Sequence, residues 1–281
     1  MKTKQKNKSA LTLGQMFDDT LKSRWSGRAR ETVEWQQAKN IEKLLGRDRV
    51  VESITPRDVD HLIECWRERG NKPATLNSKL ATLKTALNHT RRRGMHSLDI
   101  HIDKIRHPSN ARIRFFSEDQ LENISDYLQR EHPGFDMFFW FLVETGIRPG
   151  EARSLRPCDF REDPELGWVV DIVKTKNGDP RTVPLTKRAE LAYSVAGPSV
   201  FSGYTPNIIA RVWKEVRKHC DLGEDYVLYT ARHTCATRLL SKGVSIRVAQ
   251  SWLGHRDINQ TLRYAKLVPS DLAAARDLLD Q

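Results

Sequence analysis

The chain has 281 residues, of which 38% are hydrophobic and 30% charged, and its formal net charge is +11 at pH 7. This length accommodates one large domain or two modest ones. No run of about 18 apolar residues is present, which excludes a conventional membrane-spanning helix. We expect no secretory signal, because no apolar segment follows the basic N-terminus. The four cysteines form no C-x-x-C pair, so we interpret them as reduced thiols in a reducing compartment.

The basic excess is concentrated in the first part of the chain. Residues 1–110 hold 23 lysines and arginines against 13 acidic residues, whereas residues 111–281 hold 24 against 23. Such an excess indicates a polyanionic partner, although nucleic-acid, ribosomal and membrane-surface proteins all share it. A basic module joined to a nearly neutral one favours a division of labour in which one part grips phosphates and the other carries a focused site.

The first part is predicted to be a basic disordered tail (residues 1–10) followed by an all-helical bundle (residues 11–107). Apolar residues at helical spacing predict helices that begin near Thr12, near Arg30, at Pro56 and after Pro73. Along the first helix the apolar residues recur at every fourth position: Leu13, Phe17, Leu21 and Trp25. The third start is well marked, because a capping threonine precedes a proline at the first helical position.

The fourth helix has a basic outer face. Its candidate phosphate contacts are Lys79, Lys84, Arg91, Arg92 and Arg93. Because Gly94 follows the arginines, they could instead complement the dipole of a solvated helix end. Residues 108–115 are the predicted linker, and Arg112 and Arg114 in it could lie along a nucleic-acid backbone.

The second part, residues 116–281, is predicted to be mainly helical with a small β-hairpin. Helices are predicted at 118–131 and 134–144, and T-G-I-R-P-G-E-A-R-S-L (145–155) reads as a turn and a short helix. Two strands, 168–173 and 181–185, flank an Asn-Gly turn signal and predict a hairpin. The remainder is predicted to be helical, with a tail helix from about 270. The sequence has no βαβ repetition, G-x-G-x-x-G or P-loop, which argues against a nucleotide-hydrolysing engine.

Five side chains in this second part are those that metal-free phosphodiester transfer needs: Arg148, Lys176, Arg232, His255 and Tyr264. Cations must neutralise the charge that builds on the phosphate oxygens, and arginine does so with a planar fork that stays protonated. The reaction also needs a nucleophile and an acid for the leaving oxygen. Taken singly, each residue has an ordinary interpretation as a surface, turn or core residue.

Taken together, the motifs resemble those of tyrosine recombinases, the phage-integrase and Xer-type family. They are T-G-I-R-P-G-E-A, the lysine hairpin ending in R-T-V-P-L, R-H-T-x-A-T, and L-G-H with a tyrosine nine positions later. The resemblance covers the whole second part, and the N-terminal bundle resembles the helical, SAM-like core-site-binding domain of that family. It implies a mainly α fold with a small β-sheet and a site-specific recombinase that needs no metal, ATP or other cofactor.

The resemblance also implies roles. Arg148 and Arg232 would clamp the scissile phosphate, and Tyr264 would attack it to form a 3′-phosphotyrosyl bond. Lys176 would protonate the 5′-oxygen, with Lys174 as the competing candidate for that role. His255 would hydrogen-bond the phosphate. A further role falls to Glu151, which would support the site from one helical turn after the first arginine.

One position departs from the family pattern. The third motif usually reads H-x-x-R, and Tyr229 stands where the histidine is expected. A phenol can donate a hydrogen bond to phosphate but is a poor base near neutral pH. We treat Tyr229 as a phosphate-binding residue and give no substituting role to His233, because a histidine after that arginine is ordinary in the family. A catalytically impaired DNA-binding regulator is the alternative that this position leaves open.

The resemblance implies partners as well. Double-stranded DNA, a homotetramer on that DNA and DNA-bending or excision factors are expected, in the cytoplasm of a bacterial host and away from membranes. Integration or excision of a phage genome or mobile element is the favoured role, and Xer-type resolution of chromosome or plasmid dimers is the alternative. We expect no separate arm-binding domain before residue 12. The tail from Ser270 would pack in cis or dock on a neighbouring protomer; in the latter case deletion of 270–281 would spare single-site binding and cripple assembly.

Overall fold

The computed structural model describes residues 10–27, 31–106, 113–173, 180–196 and 201–267. The chain divides into two compact units, 1–111 and 112–281. Lys174, Lys176, Arg112, most of the N-terminal tail and the predicted tail helix lie outside the described residues. Within the described ranges, no helix is long and apolar enough to cross a membrane.

The first unit is built from helices that start where the sequence predicts. They are α1 (Leu13–Thr20), α2 (Glu31–Leu45), α3 (Pro56–Glu68) and α4 (Pro73–Arg92). The side chain of Thr12 accepts a hydrogen bond from the backbone N–H of Gln15, and the side chain of Gln15 accepts one from the backbone N–H of Thr12. Thr55 and Asp58 form the same reciprocal box at the start of α3. Such boxes satisfy backbone N–H groups that a helix start leaves unpaired.

The first helix does not continue as a regular α-helix to Trp25, as its apolar spacing had suggested. After Thr20 the chain widens into a π-helical turn, Leu21–Trp25. In an α-helix of 3.6 residues per turn, side chains four apart rotate by about 40° at each step, so a strict four-residue stripe drifts away from the core. The wider turn counters that drift, and Trp25 is completely buried against Phe17.

The second unit combines a helical core with one small sheet. Its helices are α5 (Glu118–Glu131), α6 (Phe135–Thr145), α7 (Pro149–Ala152), α8 (Lys187–Ala196), α9 (Pro206–His219), α10 (Thr230–Ser241), α11 (Ile246–Leu253) and α12 (Ile258–Ala265). Helix α6 is buried from Phe138 to Val143 on all sides and packs against α8 and α10. A helix that is apolar all round belongs in a core, and α6 is the central helix of this unit's core.

The predicted hairpin is the larger part of an antiparallel sheet. Within the described residues the strand order is β1 (Phe160–Asp163), β2 (Gly167–Ile172) and β3 (Arg181–Pro184). The sequence prediction missed β1, because only Phe160 of its four residues is buried and F-R-E-D shows no apolar alternation. The strand is held by pairing with β2, where Phe160 lies opposite Val170. The predicted fold class, mainly α with a small sheet, is confirmed.

Candidate active site

Arg232 joins two helix ends inside the second unit. It lies in the first turn of α10 and is only 1% exposed. Its Nη1 donates to the carbonyl of Gly146 at 2.7 Å and its Nη2 to the carbonyl of Leu253 at 2.6 Å. These carbonyls stand at the C-terminal ends of α6 and α11, where helix dipoles present partial negative charge. Burial lowers the pKa of the guanidinium, and its Nε has no hydrogen-bond partner among the described residues.

Two further arginines contact one buried carboxylate. Glu151, 5% exposed in α7, accepts from Arg148 Nη1 at 2.7 Å and from Arg181 Nη2 at 2.7 Å. Burial alone would raise the pKa of this carboxyl, but the hydrogen bonds and charges of the two arginines outweigh burial and bring the pKa below its usual value. Glu151 therefore fixes the direction of both guanidinium groups. The structure places it in direct contact with Arg148. The family resemblance implies a supporting role for Glu151 at this arginine.

Arg181 is a site residue that the sequence analysis did not single out. It opens strand β3, and its side chain is 7% exposed. Its Nε and Nη1 are buried without a hydrogen-bond partner among the described residues. Gly254 lies so near that a Cβ there would stand 2.7 Å from Arg181 Cδ. The sequence signal that was available is its place as the first residue of R-T-V-P-L, the second strand of the hairpin.

His255 leaves α11 through a left-handed glycine. Gly254 has φ +66° and caps the helix, which turns the chain back toward the core. His255 Nδ1 lies 2.8 Å from Thr261 Oγ1. Burial, followed by the charges of Arg232, Arg148 and Arg181, lowers the pKa of His255 to about 3. The ring is therefore neutral at pH 7.

Tyr264 projects from α12 into the same place. Its side chain is 4% exposed, and its ring is parallel to that of His255, with the centroids 6.2 Å apart. Burial, with a smaller contribution from Tyr229, raises the pKa of Tyr264 to about 12. The phenol is therefore protonated in the free protein.

The hydroxyl of Tyr264 contacts His233, a histidine to which the sequence analysis assigned no role. Nδ1 of His233, in the second turn of α10, lies 2.7 Å from Tyr264 Oη. Tyr229, at the N-terminal cap of α10, touches His233 edge to face with ring centroids 5.2 Å apart. No sequence signal distinguished His233, because its contact depends on how α10 and α12 pack.

The structure thus brings together four of the five predicted catalytic side chains, with Tyr229 close by. Separate segments supply Arg148, Arg232, His255 and Tyr264, and β3 adds Arg181. Three arginines against one carboxylate form a net positive cluster with unsatisfied N–H donors, which is suited to a phosphate. Among the described residues, no group of three or more His, Cys, Asp or Glu side chains could hold a metal ion.

Known proteins share this sequence pattern. The family described as Phage integrase family matches residues 204–270. The integrase of Escherichia phage 186 is 27% identical over 206 residues, covering 72% of this chain and 59% of its own. A tyrosine recombinase of Pseudothermotoga lettingae is 25% identical over 229 residues, covering 75% and 78%. Residues 204–270 therefore match the phage integrase family, and about three quarters of the chain is similar to a tyrosine recombinase. The chain spans less than two thirds of the phage 186 relative and 35% of a putative integrase/recombinase of Sinorhizobium fredii.

Solved structures share the recombinase fold. A lambda integrase fragment bound to a core site superimposes with a TM-score of 0.73 at 18% identity, covering 89% of this chain and 97% of that chain. The Tn1549 transposon integrase superimposes with a TM-score of 0.69 at 18% identity, covering 96% and 99%. The likeness extends over both units of the chain.

The basic residues that were predicted to contact DNA differ in what they already bind. Lys79 Nζ donates to Asn71 and lies 5.0 Å from the Trp66 ring centroid, and Lys84 Nζ donates to the carbonyl of Ile102. Three of the arginines form ion pairs: Arg91 with Asp99, Arg93 with Asp19, and Arg114 with Asp225. Arg92 is exposed at the end of α4. Among the candidates that the structure describes, Arg92 is therefore the clearest for a phosphate contact.

Proposed function

We propose that the chain is a site-specific recombinase that cleaves and rejoins duplex DNA through a 3′-phosphotyrosyl bond to Tyr264, in the integration or excision of a phage genome or mobile element. The observation that carries the proposal is the buried convergence of the Tyr264 hydroxyl with the guanidinium groups around Glu151 and Arg232. A buried cation normally has its donors satisfied. Here Nε of Arg232 and two N–H groups of Arg181 lack partners among the described residues, and phosphate oxygens would supply them.

The charges fit the chemistry. A phosphodiester carries one negative charge, and a five-coordinate transition state gathers more on its non-bridging oxygens. Arg148, Arg181 and Arg232 against Glu151 leave two net positive charges beside the nucleophile. Preorganised cations in a buried site stabilise developing charge more than they would in water.

His255 adds a neutral donor to this set. With its Nδ1 accepting from the hydroxyl of Thr261, the ring proton lies on Nε2, which can donate to a phosphate oxygen. The low pKa of His255 argues against a role as a cationic acid in the free protein. Lys176 is proposed on sequence grounds as the acid that protonates the leaving 5′-oxygen.

The partners follow from the same proposal. A lambda integrase structure is described as a dimer bound to a core site and another as a tetramer bound to a Holliday junction. We propose duplex DNA and a homotetramer on that DNA for this chain, with DNA-bending or excision factors as accessory partners. The surplus of basic residues in 1–110 supports a phosphate-gripping role for the first unit.

A second candidate is the Xer-type resolution of chromosome or plasmid dimers. It is favoured by one relative, the tyrosine recombinase XerD of Lacticaseibacillus casei, which is 28% identical over 154 residues. The two roles differ in the DNA that is cut. An integrase acts at the ends of an element, whereas a resolvase acts at a recurring chromosomal or plasmid site.

Covalent trapping tests the activity and separates these roles. The wild-type chain is incubated with fragmented host genomic DNA, protein-bound DNA is recovered under denaturing conditions, and the attached ends are sequenced. A nicked suicide duplex built from the recovered site then measures adduct formation. Tyr264→Phe should abolish the adduct. Tyr193 lies in α8, where its ring stacks on Phe160, and the matched control Tyr193→Phe should retain the adduct. No adduct with the wild-type chain would reject the proposed function.

A further inference from the structure

The hydroxyl of Tyr264 faces an imidazole, and that imidazole comes from the residue next to Arg232. His233 Nδ1 and Tyr264 Oη lie 2.7 Å apart, a distance typical of a short hydrogen bond. The two side chains belong to different helices, α10 and α12, which pack directly on each other. An imidazole, which can act as a base, therefore already lies within hydrogen-bonding distance of Tyr264 Oη, the oxygen that must lose its proton.

We propose that His233 is the general base that accepts the phenolic proton of Tyr264 during strand cleavage and returns it during rejoining, in a chain whose position 229 carries a phenol. This inference rests on the proposed recombinase function. It assigns the role of base to His233. In the family pattern that role would be expected of a histidine at position 229, where this chain has Tyr229.

The neutral His233 ring has a lone pair that can accept the proton of Tyr264. Burial, followed by the charges of Arg232 and Arg263, lowers the pKa of His233 to about 4, so the ring is neutral near pH 7. Placing the ring proton on Nε2 leaves Nδ1 as the acceptor for the Tyr264 hydroxyl. Tyr229 touches the His233 ring but is itself a phenol, and a phenol is a much weaker base than an imidazole.

A bound phosphate would strengthen this base. Two positive charges lower the pKa of His233 in the free protein. A phosphodiester seated on Arg232 would oppose one of them, so the basicity of His233 would rise when substrate arrives. Proton transfer would then accompany bond formation at phosphorus, since a free phenolate is disfavoured by the burial of Tyr264.

The step balances without an oxidant, reductant or metal. Oη of Tyr264 forms a bond to the scissile phosphorus as the bond from phosphorus to the 5′-oxygen breaks. The phenolic proton moves to Nδ1 of His233, and the 5′-oxygen takes a proton from Lys176. In rejoining, the 5′-hydroxyl attacks phosphorus and gives its proton back to Lys176, the bond from phosphorus to Oη breaks, and His233 returns its proton to Tyr264.

The test separates a base from an acid by changing the leaving group. His233→Asn places an amide oxygen near Nδ1 and keeps a hydrogen-bond acceptor without basicity. Adduct formation is measured on a suicide duplex with a normal scissile phosphate and on one with a 5′-bridging sulfur, which leaves without protonation. We expect His233→Asn to be slowed about 100-fold or more on both substrates. Lys176→Ala should be slow on the oxygen substrate and recover on the sulfur substrate.

The outcomes are distinct. An undiminished or faster rate for His233→Asn overturns the inference and makes the contact a resting-state latch. Recovery of His233→Asn on the sulfur substrate also overturns it, because His233 would then serve the leaving group. His233→Gln is judged by the same two rates if the asparagine variant has a lowered thermal midpoint. Failure of the wild-type chain on both substrates overturns the proposed function itself, and the inference with it.

Discussion

Replacement of Gly254 by alanine tests whether the site depends on close packing between the L-G-H turn and Arg181. Gly254 has φ +66°, and Gly243, at the end of α10, has φ +79°. An alanine in either left-handed position costs about 1–2 kcal/mol. A Cβ at Gly243 would meet nothing within 4 Å, whereas one at Gly254 would lie 2.7 Å from Arg181 Cδ. Gly243→Ala is therefore a matched control for the backbone cost alone.

The extra cost at Gly254 follows from how Arg181 is tied. Its Cδ must retreat by about 0.7 Å to reach an ordinary contact distance, and overpacking of this kind costs about 1–3 kcal/mol. The guanidinium cannot swing away without stretching its 2.7 Å bond to Glu151. We expect Gly254→Ala to be less stable than Gly243→Ala by about 2 kcal/mol, or about 4–8 °C in a unit of this size.

Calorimetry of the full chain measures the difference. Both variants should lower the transition of the second unit, and Gly254→Ala should lower it further. Equal shifts for the two alanines would refute the packing argument, because the clash would then contribute nothing. A larger shift for Gly243→Ala would refute it more strongly.

Three further predictions concern charge. Glu151→Gln should lower the free energy of unfolding by about 3 kcal/mol, because it leaves two buried guanidinium groups without their anion. The control is Glu162→Gln, since Glu162 is exposed. Equal urea midpoints for the two variants would contradict the buried pairing. The folded pKa values of His233 and His255, about 4 and about 3, lie below the unfolded value of about 6.5. The stability gained by keeping both rings neutral is thus complete above pH 6.5 and is lost as pH falls through 4 and 3, by about 2 kcal/mol for each histidine at pH 5. His255→Asn should therefore show a shallower loss of stability in urea titrations than the wild-type chain. Arg92→Gln should reduce the slope of log affinity against log salt for noncovalent duplex binding by about 0.9, and an unchanged slope would remove Arg92 from the DNA-binding surface.

The sequence predicted what local rules determine. Helix starts marked by a cap were confirmed at Thr55 and Ser117, where side chains satisfy the first backbone N–H groups. The strands flanking the Asn-Gly signal were also confirmed, and so was the fold class. Strand β1 was missed because its four residues carry no alternation, and its pairing with β2 is what makes it a strand.

The site was predictable where family-like motifs name a residue, and not where packing makes the contact. Arg148, Arg232, His255 and Tyr264 stand in quoted motifs, and the structure places them in one unit. Arg181 joins them only because β3 and the turn after α11 approach within a few ångströms. The His233 contact depends likewise on the angle between α10 and α12. Neither distance can be read from spacing along the chain.

Tyr264, the proposed nucleophile, is kept in its unreactive protonated form in the free protein, and the proposed substrate would activate it. Burial raises the pKa of Tyr264 to about 12, so only about one phenol in 10⁵ is ionised at pH 7. The charge of Arg232 acts in the opposite direction but does not overcome burial. A phosphate bound there would satisfy the idle donors of Arg232 and Arg181, make His233 a stronger base and place phosphorus beside Oη. Activation would thus require the scissile phosphate itself, which would protect the protein from reacting before DNA is in place.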